Sequence, residues 1–272
     1  MDSEALLQKK LGYLRENLRQ SGRTVLAFSG GVDSVFLMAM LKESGTVFLA
    51  VTAVSPTMPR HDREQACMLA HRFGVVHRVI ESREMANPDF VKNDANRCFY
   101  CKDDLFSRLV TLAREEGFQR VVDGSTADDG SDYRPGMRAK ALHGVQSPIM
   151  EAGLTKGELR IQSQRMGLPT WDRPASPCLS SRITYGEPIE VDALRMVEGG
   201  ERWLKSHGLE VVRVRKQNRT ARIEVSEGEM SRFMDPDFRH ETIRVFRDLG
   251  FQFISLDLEG FASGRLNRLV LE

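Results

Sequence analysis

The residues Thr24-Val25-Leu26-Ala27-Phe28 run directly into Ser29-Gly30-Gly31-Val32-Asp33-Ser34, and a further apolar stretch, 35–41, follows at once. A short apolar run, a glycine turn and a second apolar run predict a buried strand feeding a helix. Each residue of the turn suits an anion. Gly30 and Gly31 let backbone N–H groups approach with no Cβ in the way, Ser29 and Ser34 add hydroxyls, and the helix N-terminus adds positive field. Asp33 is the exception, because a carboxylate beside phosphates requires a divalent cation between them or else holds the loop in shape. Neither G-x-x-x-x-G-K-[ST] nor G-x-G-x-x-G is present.

Strand and helix patterns alternate along the rest of this half. Leu7, Leu11, Leu14 and Leu18 recur at helical spacing, and strands are expected over 24–28, 47–53, 75–80 and 120–123, with helices over 35–41, 62–73 and 103–116. Continuous apolar strands separated by helices predict a parallel sheet covered on both faces, with ligands at the carboxyl ends of its strands. The polar segment 82–97, with Asn87-Pro88, reads as a loop, and 124–148 reads as irregular. Thr155 and Glu158 have capping-box spacing at the head of a helix over 155–166. Past Pro169, Pro174, Pro177 and Pro188 the pattern becomes helix 191–207, strands 210–215 and 221–225, helix 238–249 and strand 251–256. This places a boundary near Gly186: an α/β domain over 1–186 and a smaller α+β domain over 187–272.

The 272 residues suffice for two modest domains. Lys and Arg exceed Asp and Glu by one, so no broad basic face invites nucleic acid, and a small charged metabolite is the simpler partner. The opening MDSEALLQKKLGYL lacks the form of a signal peptide, and no apolar stretch reaches membrane-spanning length, so the expected location is the cytoplasm. The four cysteines are too few for a secreted disulfide framework. Cys67 sits among Ala66, Leu69 and Ala70, as a small hydrophobe would. Cys98 and Cys101 form a C-x-x-C pair, and Cys178 lies in a Pro-rich loop. The three thiolates admit a shared [4Fe–4S] cluster with one open iron or a zinc site; a catalytic Cys178 beside an incidental pair, and purely structural cysteines, are the alternatives.

Ser-Gly-Gly-x-Asp-Ser after a first strand resembles the signature of the PP-loop ATP pyrophosphatase superfamily, over roughly 23–182. The resemblance implies an adenine nucleotide α-hydrolase-like fold in which Ser29, Gly30, Gly31, Asp33 and Ser34 grip the pyrophosphate of ATP with Mg²⁺. It also implies that the strand end at Ala53 and Val54 receives the adenine. Gly124-Ser125-Thr126-Ala127-Asp128-Asp129 is similar to the family's second turn, making Thr126 and Asp128 nucleotide-side candidates.

Gly153-Leu154-Thr155-Lys156-Gly157-Glu158-Leu159-Arg160, Gly167-Leu168-Pro169-Thr170-Trp171-Asp172-Arg173-Pro174, Cys178-Leu179-Ser180-Ser181-Arg182 and Ser255-Leu256-Asp257-Leu258-Glu259-Gly260-Phe261 together resemble the LarE family. Its members are ATP-dependent sulfur transferases of nickel-pincer nucleotide biosynthesis. They adenylate a carboxylate of pyridinium-3,5-biscarboxylate mononucleotide and convert it to a thiocarboxylate. The resemblance makes Cys178 either a sacrificial sulfur donor left as dehydroalanine or, with Cys98 and Cys101, a ligand of a cluster carrying a transferable sulfide. Arg182 is a candidate for lowering the thiol pKa. The family further implies a homo-oligomer assembled through the C-terminal domain.

Arg134, Arg138, Arg182, Arg213 and Arg215, with Ser181, lie where a nucleotide's phosphates and carboxylates could be met, since the planar guanidinium pairs two oxygens at once. Arg213 and Arg215 alternate on one strand face, where a salt bridge to Glu224 and substrate-phosphate binding are equally open readings, the family resemblance implying the latter. His143 reads as a hydrogen-bonded residue, Trp171 as a ring stacker or loop anchor, and Glu201 as an exposed helical residue or a cation ligand. Competing activities are an ammonia-dependent amide-forming synthetase, a PP-loop tRNA thiolase and a nucleotide-sensing metal-binding protein. The cysteine trio argues against the first, and the balanced charge against the second.

Overall fold

The structure, a computed structural model, describes residues 3–130, 135–262, 265 and 268. Leu7, Leu11, Leu14 and Leu18 of α1 (Ser3–Arg19) are all buried. Then β1 (Thr24–Ala27), α2 (Val32–Glu43), β2 (Phe48–Val54), α3 (Arg60–Arg72) and β3 (His77–Glu81) follow in the expected alternation. Next come α4 (Pro88–Val91), α5 (Arg97–Glu115), β4 (Arg120–Val122), α6 (Pro135–Leu142), α7 (Pro148–Glu151) and α8 (Lys156–Arg165). The four strands are parallel in the order β3-β2-β1-β4.

Alternate residues of each strand serve opposite faces, as the pleat requires. Leu26, Ala50 and Val122 pack with the buried residues of α1, α2, α3 and α8, whereas Val25, Leu49, Val51 and Val121 pack with Phe106 and Leu109 of α5. Both faces are thus covered, which is why these strands read as nearly continuous apolar runs.

The chain divides into two compact units, one formed by Met1–Glu84 with Cys98–Ser176 and the other by Met85–Arg97 with Pro177–Glu272. The sequence placed a single boundary near Gly186. The second unit contains α9 (Val191–Ser206), the antiparallel pair β5 (Val212–Gln217) and β6 (Thr220–Val225), α10 (Pro236–Asp248), and β7 (Phe253–Leu256) parallel to β6.

Two segments differ from their sequence expectation. Asn87-Pro88 does not break the chain: the Asn87 side chain accepts the Asp89 N–H at 2.9 Å and Pro88 begins α4, an N-cap and N1 pair. The helix expected from 103 starts at Arg97, so Cys98 and Cys101 lie three residues apart, one turn from each other, at the head of α5.

Candidate active site

The turn after β1 is braced by its own hydroxyls. Ser34 Oγ donates to the Gly31 carbonyl at 3.2 Å and accepts the Ser29 N–H at 3.3 Å, while Ser29 Oγ accepts the Gly31 N–H at 3.3 Å. Gly30 has φ +72°, and a Cβ there would stand 2.9 Å from the Ala66 Cα of α3. Glycine alone permits that approach. Helix α2 opens at Gly31 without a side-chain cap, leaving its first N–H groups and the positive end of its dipole for an anion.

Asp33 stands on the first turn of α2. Its Oδ2 accepts from Lys156 Nζ at 2.8 Å, and its Oδ1 is buried with no hydrogen-bond partner among the described residues. Lys156 is the first residue of α8, and its N–H donates to Asp128 Oδ2 at 2.5 Å. Thr126, fully buried, donates its N–H to Asp129 Oδ2 at 2.8 Å. This second turn lies against the first: a Cβ on Gly124 would stand 2.9 Å from the Asp33 carbonyl carbon. Beneath it the buried Lys140 ammonium donates to Ser125 Oγ at 2.9 Å and Ser147 Oγ at 2.7 Å, with Asp123 at 3.4 Å. Loop and second turn therefore form one braced surface at the carboxyl ends of β1 and β4.

Ala53 lies half-buried at the carboxyl end of β2, paired with Ile80 of β3. The chain beyond it is held by the buried Glu84 carboxylate, which accepts from the Ser55 hydroxyl and from Thr57 Oγ1 at 3.0 Å. Arg138, exposed on α6, places its guanidinium carbon 5.2 Å from the Phe99 ring centroid, on the helix that carries the C-x-x-C pair. Arg134 lies outside the described residues. His143 is hydrogen-bonded as expected, its Nε2 lying 2.8 Å from Asp103 Oδ1. Trp171 is exposed and anchors its loop through its carbonyl, which accepts from Arg160, rather than through its ring.

In the second unit, Cys178 is exposed and precedes a single 3₁₀ turn, Leu179–Arg182. The carbonyls of this turn are held by arginines. Arg182 Nη1 donates to the carbonyls of Pro177 at 2.6 Å and Cys178 at 3.1 Å, Arg97 Nη1 to that of Ser180 at 3.1 Å, and Arg215 Nη1 to that of Ser181 at 2.8 Å. Ser181 Oγ closes the turn onto the Cys178 carbonyl at 2.7 Å.

Two of these arginines are buried in bidentate pairs. Arg182 bonds Glu201 at 2.8 and 3.0 Å, and Arg215 bonds the fully buried Glu224 at 3.0 and 2.9 Å. Removing one member of such a pair costs about 3–5 kcal/mol, because the other charge is left buried alone. Arg182, read as a thiol activator, thus holds the backbone around the thiol. Arg215 makes the salt bridge to Glu224, and Glu201 is a buried partner rather than an exposed residue. Arg213 lies 5.0 Å from the Phe261 ring centroid; burial, then the neighbouring Arg182, pushes its pKa below the usual arginine value.

Cys98 is exposed and Cys101 half-buried. Among the described residues, neither unit by itself gathers three His, Cys, Asp or Glu side chains able to hold a metal. No described helix is long and apolar enough to cross a membrane. Sequence reasoning missed Lys156, Glu84 and Arg97 as site residues. Lys156 alone carried a local signal, since it follows the N-cap of a legible capping box.

No family model matches the chain. It is 40% identical to an uncharacterized protein of Synechocystis over 97% of this chain and 99% of that one. It is 33% identical to the pyridinium-3,5-bisthiocarboxylic acid mononucleotide synthase of Lactiplantibacillus plantarum over 97% and 95% of the two chains. A more distant likeness, 26% identity over 56% of this chain and 52% of the other, is to the tRNA-specific 2-thiouridylase of Rickettsia rickettsii. A parallel α/β sheet with Ser-Gly-Gly-x-Asp-Ser between β1 and α2, together with these relatives, defines an ATP-dependent, sulfur-transferring PP-loop enzyme. Within that class the chain belongs to the LarE family.

Proposed function

We propose that the chain adenylates a carboxylate of pyridinium-3,5-biscarboxylate mononucleotide and converts it to a thiocarboxylate for a nickel-pincer nucleotide cofactor. The observation that carries this reading is Asp33: one oxygen is on Lys156, the other is buried without a hydrogen bond among the described residues, and both stand at an uncapped helix N-terminus. An oxygen donor so placed suits Mg²⁺, which when bound would offset the negative charge of a pyrophosphate. Ser29, Gly30, Gly31 and Ser34 hold that pyrophosphate by N–H groups and hydroxyls, with Lys156 as a further cation. The β2 end at Ala53 takes the adenine, and Thr126 and Asp128 shape the nucleotide side. A substrate carboxylate oxygen attacks the α-phosphorus, and pyrophosphate leaves. Arg134, Arg138 and Arg213, with Ser181, serve the phosphate and the second carboxylate of the mononucleotide, while Arg215, paired with Glu224, holds the Ser181 carbonyl in place.

The acyl-adenylate then receives sulfur. In the sacrificial route the exposed Cys178 thiolate attacks the acyl carbon and AMP leaves, forming a thioester. Loss of the Cys178 Cα proton with cleavage of its Cβ–S bond releases the thiocarboxylate and leaves dehydroalanine. In the renewable route Cys98, Cys101 and Cys178 hold a [4Fe–4S] cluster, for which accessible thiolates in C-x-x-C spacing on one helical turn are suited. Such a cluster would supply a transferable sulfide at its open iron.

Pyrophosphate release from ATP and Mg²⁺ is expected only with the mononucleotide present, with a thiocarboxylate as product, and Asp33→Asn should lower it at least about a hundredfold. Release that depends on tRNA, or an amide product with ammonia, would replace this reading by the thiolase or the synthetase. The mass of Cys178 after turnover separates the routes: loss of the elements of hydrogen sulfide marks the sacrificial one, and an unchanged residue after several turnovers the renewable one.

A further inference from the structure

The chain leaves the nucleotide-binding unit at Ser176, two residues before Cys178, and its last stretch there is fastened at several points. Arg160 of α8 donates from Nη1 to the Trp171 carbonyl at 2.7 Å and from Nη2 to the Arg173 carbonyl at 2.6 Å. Arg173 in turn donates from Nη2 to Asp62 Oδ1 at 2.7 Å and reaches the Gly30 carbonyl with Nη1 at 3.4 Å. Asp62 is buried on the first turn of α3, and its second oxygen accepts from Ser176 Oγ at 2.6 Å. Both carboxylate oxygens are therefore engaged by residues of this one stretch.

The fastening points are on the elements that frame the Ser-Gly-Gly turn. Gly30 presses on Ala66, one turn along α3 from Asp62, and Arg160 lies one turn along α8 from Lys156, which holds Asp33. We infer that Asp62, Arg173 and Ser176 are positioning residues that lock the path of the chain toward Cys178 to the nucleotide loop. This inference rests on the sulfur-transfer reading. In that reaction the acyl-adenylate partitions between the sulfur donor and water, so a loosened approach to the donor costs transfer while activation proceeds.

The test uses the full chain carrying Arg173→Lys or Ser176→Ala. Lysine keeps the charge but loses the planar fork whose separate nitrogens meet Asp62 and the Gly30 carbonyl, and Ser176→Ala changes no charge at all. Both variants should keep mononucleotide-dependent pyrophosphate release within about threefold of the parent, while thiocarboxylate formed per pyrophosphate falls at least about tenfold. Hydrogen exchange of the peptide spanning 170–176 should quicken about tenfold, with α8 unchanged. Unchanged exchange would overturn the inference. So would release and transfer falling together with a raised KM for ATP, because the residues would then act on nucleotide binding. A parent protein that makes no thiocarboxylate would sink the sulfur-transfer reading instead, and the exchange experiment would still decide whether the stretch is locked.

Discussion

Glu158 serves two elements at once. It accepts the Thr155 N–H at 2.8 Å to close the capping box of α8, and Lys10 of α1 donates to it at 2.7 and 2.8 Å. Desolvation opposes its charge, but the hydrogen bonds from Lys10 and Thr155 prevail and hold the carboxyl below its usual range. The folded protein therefore protonates Glu158 at lower pH than the unfolded chain does. The resulting stabilisation is complete above the unfolded pKa and is lost as pH falls through the lowered folded value. Glu158→Gln should cost about 1 kcal/mol at neutral pH, with the deficit closing in acid, as read by urea unfolding across pH. A deficit unchanged in acid would assign the effect to packing. The Thr155 and Glu158 pairing was legible from spacing, whereas their partners were not, because Lys10 is 148 positions from Glu158 and Lys156 is 123 from Asp33. Glu201 had a readable signal that its charge concealed: it falls on the stripe of Leu194, Val197 and Leu204, the buried face of α9.

At the scale of elements, strand and helix alternation over the first half was written in the apolar periods, since strands buried on both faces leave little else to read. The start of α5 was not. Nothing in Arg97-Cys98-Phe99-Tyr100 marks a helix head, and the residues before it are set by distant contacts: the Asn93 side chain donates to the carbonyls of Thr184 at 2.8 Å and Glu187 at 2.9 Å. The helical placement of the C-x-x-C pair sharpens the metal question, because a rigid turn presents both thiols together. Protein purified without oxygen should contain iron and acid-labile sulfide, and Cys98→Ala, Cys101→Ala and Cys178→Ala should each lose them. Metal-free protein after anaerobic reconstitution would leave Cys178 as the sacrificial donor.

For the whole molecule, the likeness that shows the LarE family spans 97% of this chain and 95% of the Lactiplantibacillus plantarum relative. For assembly we propose a homo-oligomer. Light scattering should return a multiple of the 30.8 kDa chain mass, and a value near one chain would exclude self-association at working concentration. The chain passes between its two compact units at 84/85, 97/98 and 176/177, so the second unit is not a contiguous tail. A gene fragment beginning at Pro177 would encode Thr184 and Glu187 without the Asn93 that ties them, and Ser180 without Arg97. Such a unit cannot be swapped or inherited as a cassette; recombination that exchanged the carboxyl-terminal third alone would have to carry 85–97 with it to keep the cysteine turn intact.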